Sequence, residues 1–193
     1  MPQVEYVISQ MLTVAVFLMP ILTMRLMSED RRQKVDQALF TAPVKLISVV
    51  LGKFFAAFAV FAMGFIPTII FEIIIMSYVS VNIFTYLYAL LGILLLGAAL
   101  IAIGMFISCL TESSVISAIL TLVINLLTLY MTSFAQLISV ELISNLLEKM
   151  AFINMFANFG NEYFSLPDVF YFLSITAAFL FLCVRALEKR RWA

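Results

Sequence analysis

Two side chains able to move a proton or hold a polar group stand inside long apolar stretches, Glu72 and Asn125. A carboxylate at membrane depth is costly to keep charged, so it is a candidate for function wherever it occurs. Glu72 lies close to the end of its apolar run, within reach of water or headgroups. It therefore reads as a protonated or interface-facing structural acid rather than a proton relay. Asn125 reads first as a helix–helix hydrogen bond; both residues stay candidates for lining a pathway. The chain has no His, which removes imidazole acid–base chemistry and His metal ligands. Cys109 and Cys183 both fall in apolar runs and read as small packed side chains, not as a disulfide framework or zinc site. Gly52–Lys53 is followed by Phe54, and Ile47 stands where a phosphate-cradling loop would need its first glycine, so no Walker-type nucleotide site is present. No Gly-x-Ser-x-Gly elbow occurs either. The expectation is a chain with no catalytic residue, no cofactor and no metal.

The elements around these residues follow from composition. Of 193 residues, 65% are hydrophobic and 11% charged, against roughly 45–50% and about 25% in soluble domains. With a mean hydropathy of +1.16, a water-soluble core of this size cannot hide the apolar surface. Five runs are long enough to cross a bilayer, about 7–24, 49–78, 84–110, 115–133 and 169–187. The fold class expected is all-α, a polytopic membrane protein with about five spans, forming one domain over 1–193. The second and third runs exceed a hydrocarbon core of about 30 Å and must tilt, kink or project. Pro67, three residues after Gly64, is expected to kink the second, since it removes a backbone donor in mid-helix. The first run is no signal peptide, because no basic residue precedes it and no small-residue cleavage site follows.

Basic residues set the orientation. Arg25, Arg31, Arg32, Lys34, Lys45 and Lys53 gather between the first two spans, and Arg185, Lys189, Arg190 and Arg191 close the chain. By the positive-inside rule both clusters are cytoplasmic. The N-terminus is then outside, the C-terminus inside, and the 134–166 segment outward. Zero net charge leaves no field to attract nucleic acid.

Between the first two spans a dense charge run becomes amphipathic, with Val35, Leu39 and Phe40 on one helical face and Asp36 and Gln37 elsewhere, until Pro43 breaks the pattern. Such a helix either lies on anionic headgroups or offers a docking surface to a cytosolic subunit. The third run carries a stripe of small residues including Gly97, Gly104 and Ser108, which allows close helix packing within the chain or between subunits. Segment 134–166 reads as an interfacial outer helix followed by an aromatic, Asn-bearing stretch. Ser165, Pro167 and Asp168 mark the start of the last span.

Four motifs taken together resemble the ABC-2 type permeases. These are "FLMPILTMRLMSEDRRQ", "LFTAPVKLISVVLGKF", "LLGAALIAIGMFISCLTESSVISA" and "FLFLCVRALEKRRW". The similarity is strongest to the gliding-motility-associated (GldF-like) branch, and the motifs run in the family's order over nearly the whole chain. The resemblance implies a permease subunit in a multi-pass cell membrane, bacterial in setting, exporting a substrate that the sequence leaves unidentified. It works as a homodimer or heterodimer of permeases, driven by a separate cytosolic ABC ATPase. It also implies that the region 28–46, with Asp36, Gln37, Leu39 and Phe40 flanked by Glu29, Arg31 and Arg32, seats on that ATPase as a coupling helix. The turn holding Thr111 and Glu112 supplies a second contact, and 134–166 corresponds to re-entrant outer helices.

The chain departs from the family twice. Members commonly have six spans, so a first span is expected to be missing here. They also commonly have Gly-Thr where this chain has Lys34–Val35. The first departure leaves a second reading open, a non-transporting membrane scaffold or immunity protein derived from a truncated permease.

Overall fold

The computed structural model describes residues 2–35, 45–70, 83–133, 152, 156 and 166–191. Among these every regular element is a helix: α1 (Pro2–Thr23), α2 (Ser28–Arg32), α3 (Leu46–Met63), α4 (Ile83–Leu110), α5 (Ser114–Leu129) and α6 (Leu166–Arg191). Three helical stretches, Leu46–Ile70, Tyr86–Leu110 and Leu166–Arg191, are long and apolar enough to cross a membrane, and Ser114–Leu129 is a shorter apolar helix. In lipid a helix satisfies its own backbone polar groups, so an all-helical chain is what these apolar runs can form.

Helix α4 is the centre. It touches α1, α2, α3, α5 and α6, and its tightest packing is with α6. Its apolar window is 72% buried, against 28% for the window that contains α3 and 17% for that of α6. From Leu96 to Met105 every residue is buried, as a helix apolar all round must be when it is enclosed by others. The outer helices bury one stripe each. Helix α3 turns Leu46, Val50, Phe54, Ala57 and Phe61 inward at helical spacing and leaves Phe55, Val60 and Met63 exposed. Helix α6 buries Phe172, Thr176, Cys183 and Leu187 while Phe170, Leu173 and Phe181 face outward. Large apolar side chains exposed along whole helices suit hydrocarbon, which is as apolar as they are.

Small residues on α4 set how closely its neighbours approach. A Cβ added at Gly97 would lie 2.0 Å from the Phe61 ring of α3. One added at Gly104 would lie 2.3 Å from Thr23 Oγ1 and 2.8 Å from Thr23 Cβ on α1, and 3.0 Å from Thr121 Cγ2 on α5. Gly104 is therefore where three helices cross. At the basic end, Cys109 of α4 and Cys183 of α6 are both buried, with Sγ of Cys109 3.8 Å from the Cys183 carbonyl.

The second apolar run is interrupted rather than smoothly bent. Helical bonding gives way at Gly64–Phe65, and a further helical turn covers 66–70. Gly64 N–H donates to the carbonyls of Val60 and Phe61, and Thr68 and Ile69 N–H groups return to Phe65. Pro67 thus sits in the first turn of the resumed helix, where a missing N–H is tolerated. Helix α6 begins with Pro167 and the buried Asp168 in its first turn; a carboxylate there is favoured by the helix dipole. Phe152 packs against Tyr171 and Phe172 with ring centroids 6.0 and 5.6 Å apart. Apart from Phe152 and Phe156, both buried, the expected outer helices of 134–166 lie outside the described residues, with Leu166 opening α6.

Gly104→Ala is expected to destabilise the bundle by about 1–3 kcal/mol, because Thr23 Cβ cannot yield without moving α1. Gly97→Ala is expected to cost less, since turning one phenyl ring relieves it. Thermal unfolding of the two variants in the same detergent checks this; equal tolerance of both would show that α1 is not held at this spacing.

Candidate functional site

Chemistry-bearing side chains collect at the end of the bundle where the basic residues lie. Helix α1 stops at Thr23 and the chain turns into α2 after four intervening residues. Such a break leaves the last carbonyls of one helix and the first N–H groups of the next without partners. Met27, at the N-cap of α2, supplies no side-chain cap. Ser108, near the end of α4, does the capping instead. Its hydroxyl oxygen accepts from the N–H groups of Met27 and Ser28 at 3.1 and 3.0 Å and donates to the Met24 carbonyl at 3.1 Å. Ser108 is fully buried, so these bonds form away from water.

The rest of the turn is closed by neighbours. The Ser28 hydroxyl donates to the Met24 carbonyl and lies 3.3 Å from the Ser114 hydroxyl at the start of α5. Lys53 of α3 donates to the Leu26 carbonyl and pairs with Asp30 of α2. Arg31 of α2 donates to the Leu110 carbonyl at 2.8 Å and pairs with Glu112 at 2.7 Å. One cluster therefore ties α1, α2, α3, α4, the 111–113 turn and α5 together. Lys53, the lysine of the Gly52–Lys53 pair, is occupied by a carbonyl and a carboxylate of its own chain.

The candidate residues divide as follows. Arg31 and Glu112 are joined to each other. Glu29 accepts from Gln33 Nε2 at 3.1 Å, Arg32 is exposed, and Thr111 donates to the Ile107 carbonyl at 3.2 Å. Gly97, Gly104 and Ser108 lie along α4, against α3, against α1 with α5, and against the α1–α2 turn respectively. Asn125 is fully buried on α5 with Ser117 and Thr121, one turn apart on the same face. The Ser117 and Thr121 hydroxyls and both amide atoms of Asn125 have no hydrogen-bond partner among the described residues. The helix–helix hydrogen bond expected of Asn125 is not found there. Asp36, Gln37, Leu39, Phe40 and Glu72 lie outside the described residues.

Sequence reasoning missed Asp30, Ser28 and Ser114, and took Ser108 as a small packing residue only. The available signal was Lys53, a lysine inside an apolar run, which must find carbonyls or a carboxylate to be kept there. Lys34 closes α2 with φ of +58°, the left-handed region that favours glycine, and its N–H reaches the Arg31 carbonyl at 3.1 Å.

Compared with known proteins, the chain matches the family model described as ABC-2 family transporter protein over residues 2–187. No curated protein and no solved structure matches it.

Ser108→Ala is expected to strand the Met27 and Ser28 N–H groups at about 1–3 kcal/mol for each group left unpaired. Lower thermal stability and faster trypsin cleavage at Arg31–Arg32 would report it, and wild-type behaviour would mean that water caps the turn as well as the hydroxyl does. Lys34→Gly is expected to stabilise the chain by about 1 kcal/mol, the cost of a side chain in the left-handed region; unchanged melting would show that the turn carries no strain.

Proposed function

We propose, from the premise that this chain belongs to the ABC-2 family of transporter proteins, that it is the membrane permease subunit of an exporter whose energy comes from a separate ATP-binding subunit. Membership in that family and three membrane-long apolar helices support a transmembrane permease of an ABC transporter. Within the family the four sequence motifs favour the gliding-motility-associated branch. The basic end faces the cytoplasm of a bacterial cell, two permease copies pair, and two ATPase subunits sit beneath them. Glu72 and Asn125 remain the candidates for lining the path of a substrate that stays unidentified.

The observation that carries this reading is the tie between Arg31, the Leu110 carbonyl and Glu112. A motor subunit pressing on the 28–46 region and on the 111–113 turn then meets one joined plate instead of two independent loops. The plate is fixed to α4 by Ser108 and to α3 by Lys53. Displacing it moves the helix that all the others pack against, which gives closure of an ATPase dimer a mechanical route into the bundle. Asp36, Gln37, Leu39 and Phe40 complete the docking face in this reading, with Glu29 and Arg32 at its edge.

Purification of the chain from its own host in mild detergent, with identification of co-purifying proteins, tests the proposal directly. A nucleotide-binding ATPase is expected, and its absence under conditions that preserve a control complex would sink the permease reading. Replacing Asp36 and Gln37 by Ala is expected to weaken that association about tenfold, the loss of one or two polar contacts. Glu112→Ala separates contact from folding. Its carboxylate is 67% exposed, so its ion pair contributes at most about 1 kcal/mol to stability. A marked loss of ATPase binding in a variant that melts normally marks Glu112 as a contact, whereas unchanged binding removes it from the docking face.

A further inference from the structure

Between the start of α3 and the end of α6 lies a groove of about 770 Å³, with Lys45, Ile47, Val50 and Leu51 on one wall and Ala177, Leu180, Phe181 and Val184 on the other. Its volume falls in the range of about 300–1,000 Å³ usual for ligand sites. The floor is aliphatic and aromatic, and Leu51 and Phe181 at its mouth are exposed on the sides of α3 and α6 that leave their apolar side chains uncovered. Charge gathers at one end only, where Lys45, Arg185, Glu188 and Arg191 line it. Arg185 is already engaged, 2.9 Å from Glu188 and stacked over the Phe181 ring at 5.1 Å. Lys45 and Arg191 are both exposed and have no ionic partner among the described residues.

An apolar trough that opens sideways toward hydrocarbon and ends in two free cations matches an amphiphile with an anionic head. We propose that this groove holds one anionic phospholipid, its acyl chain against Val50, Ala177, Leu180 and Phe181 and its phosphate between Lys45 and Arg191. Basic pockets between membrane helices at the interface are recognised by headgroups of this kind. A zwitterionic lipid would bring its own cation against Lys45 and Arg191 and gain much less. A soluble anion would leave the trough empty. The site is separate from the Ser108 cluster, and a lipid seated there would brace α3 against α6, two helices that each bury only one stripe in the bundle.

The test is a lipid titration of the purified full chain in neutral detergent, read by native mass spectrometry, with phosphatidylglycerol and phosphatidylcholine of identical acyl chains. Phosphatidylglycerol is expected to bind about tenfold more tightly. Lys45→Gln with Arg191→Gln is expected to abolish that preference. Arg25→Gln with Lys189→Gln, which removes two exposed cations outside the groove, is expected to keep it. Ala177→Phe, which fills the trough, is expected to weaken both lipids. Circular dichroism and gel filtration establish that each variant is folded before titration. Equal binding of the two lipids by the unaltered chain, an equal loss in both charge pairs, or displacement by free glycerol phosphate at the lipid's own concentration would each overturn the proposal. Because the assay uses the permease alone, its failure leaves the ATPase contact, which is read by co-purification, standing.

Discussion

One hydroxyl decides how this bundle can end. Where α1 stops, the chain must turn and restart as α2 beside apolar helices, and backbone N–H and C=O groups cannot be left bare there. Ser108 answers two donors and one acceptor of that turn with a single Oγ. Ser28 adds a second bond to the same Met24 carbonyl, and Lys53 meets that of Leu26. Everything attached to the turn, including the Arg31–Glu112 pair, is placed by this solution. The ion pairs at the surface add little energy of their own, and their role is to hold α2 and the 111–113 turn in one orientation.

The second constraint is the crowding around α4. A helix with five neighbours needs places where their backbones can come close, and Gly97 and Gly104 provide them. Thr23 then stands against Gly104 while its hydroxyl donates to the Met19 carbonyl at 2.8 Å, so its polar atom is satisfied without reaching across the interface. The Ser117, Thr121 and Asn125 face of α5 follows a different rule. It is enclosed just as completely, yet its polar atoms meet no partner among the described residues. Unbonded polar groups in a dry interior are expensive, which makes that face the least settled contact of α5.

Much of the architecture was legible in the sequence because membranes select on length and apolarity, and both can be read along a chain. The all-helical class, the break near Gly64 and Pro67, and the gathering of basic residues at one end follow from local composition. The left-handed backbone at Lys34 was not legible, because a lysine carries no mark of positive φ. The cap was not legible. Capping rules look for a serine or aspartate beside the helix it caps, and here the position beside α2 is Met27 while the hydroxyl comes from another helix. The Lys53–Asp30 pair was hidden for the same reason: an apolar run with one lysine reads as a span edge, and its partner lies in a charge run that offers several carboxylates. Distance along the chain, not weak chemistry, conceals these contacts.

That separation also has a consequence for biogenesis. Ser108 follows Ser28 by eighty residues. At synthesis rates of about 5–20 residues per second, roughly 4–16 s pass between the emergence of the turn and that of its cap. During that interval the amides of Met27 and Ser28 have only water or headgroups to bond, so the newborn turn stays in the interface. The permanent seat of α2 is set late, when α4 enters the bilayer. A ribosome stalled before residue 108 would thus leave the turn between α1 and α2 uncapped, a nascent form in which a quality-control protease meets an open loop instead of a finished surface.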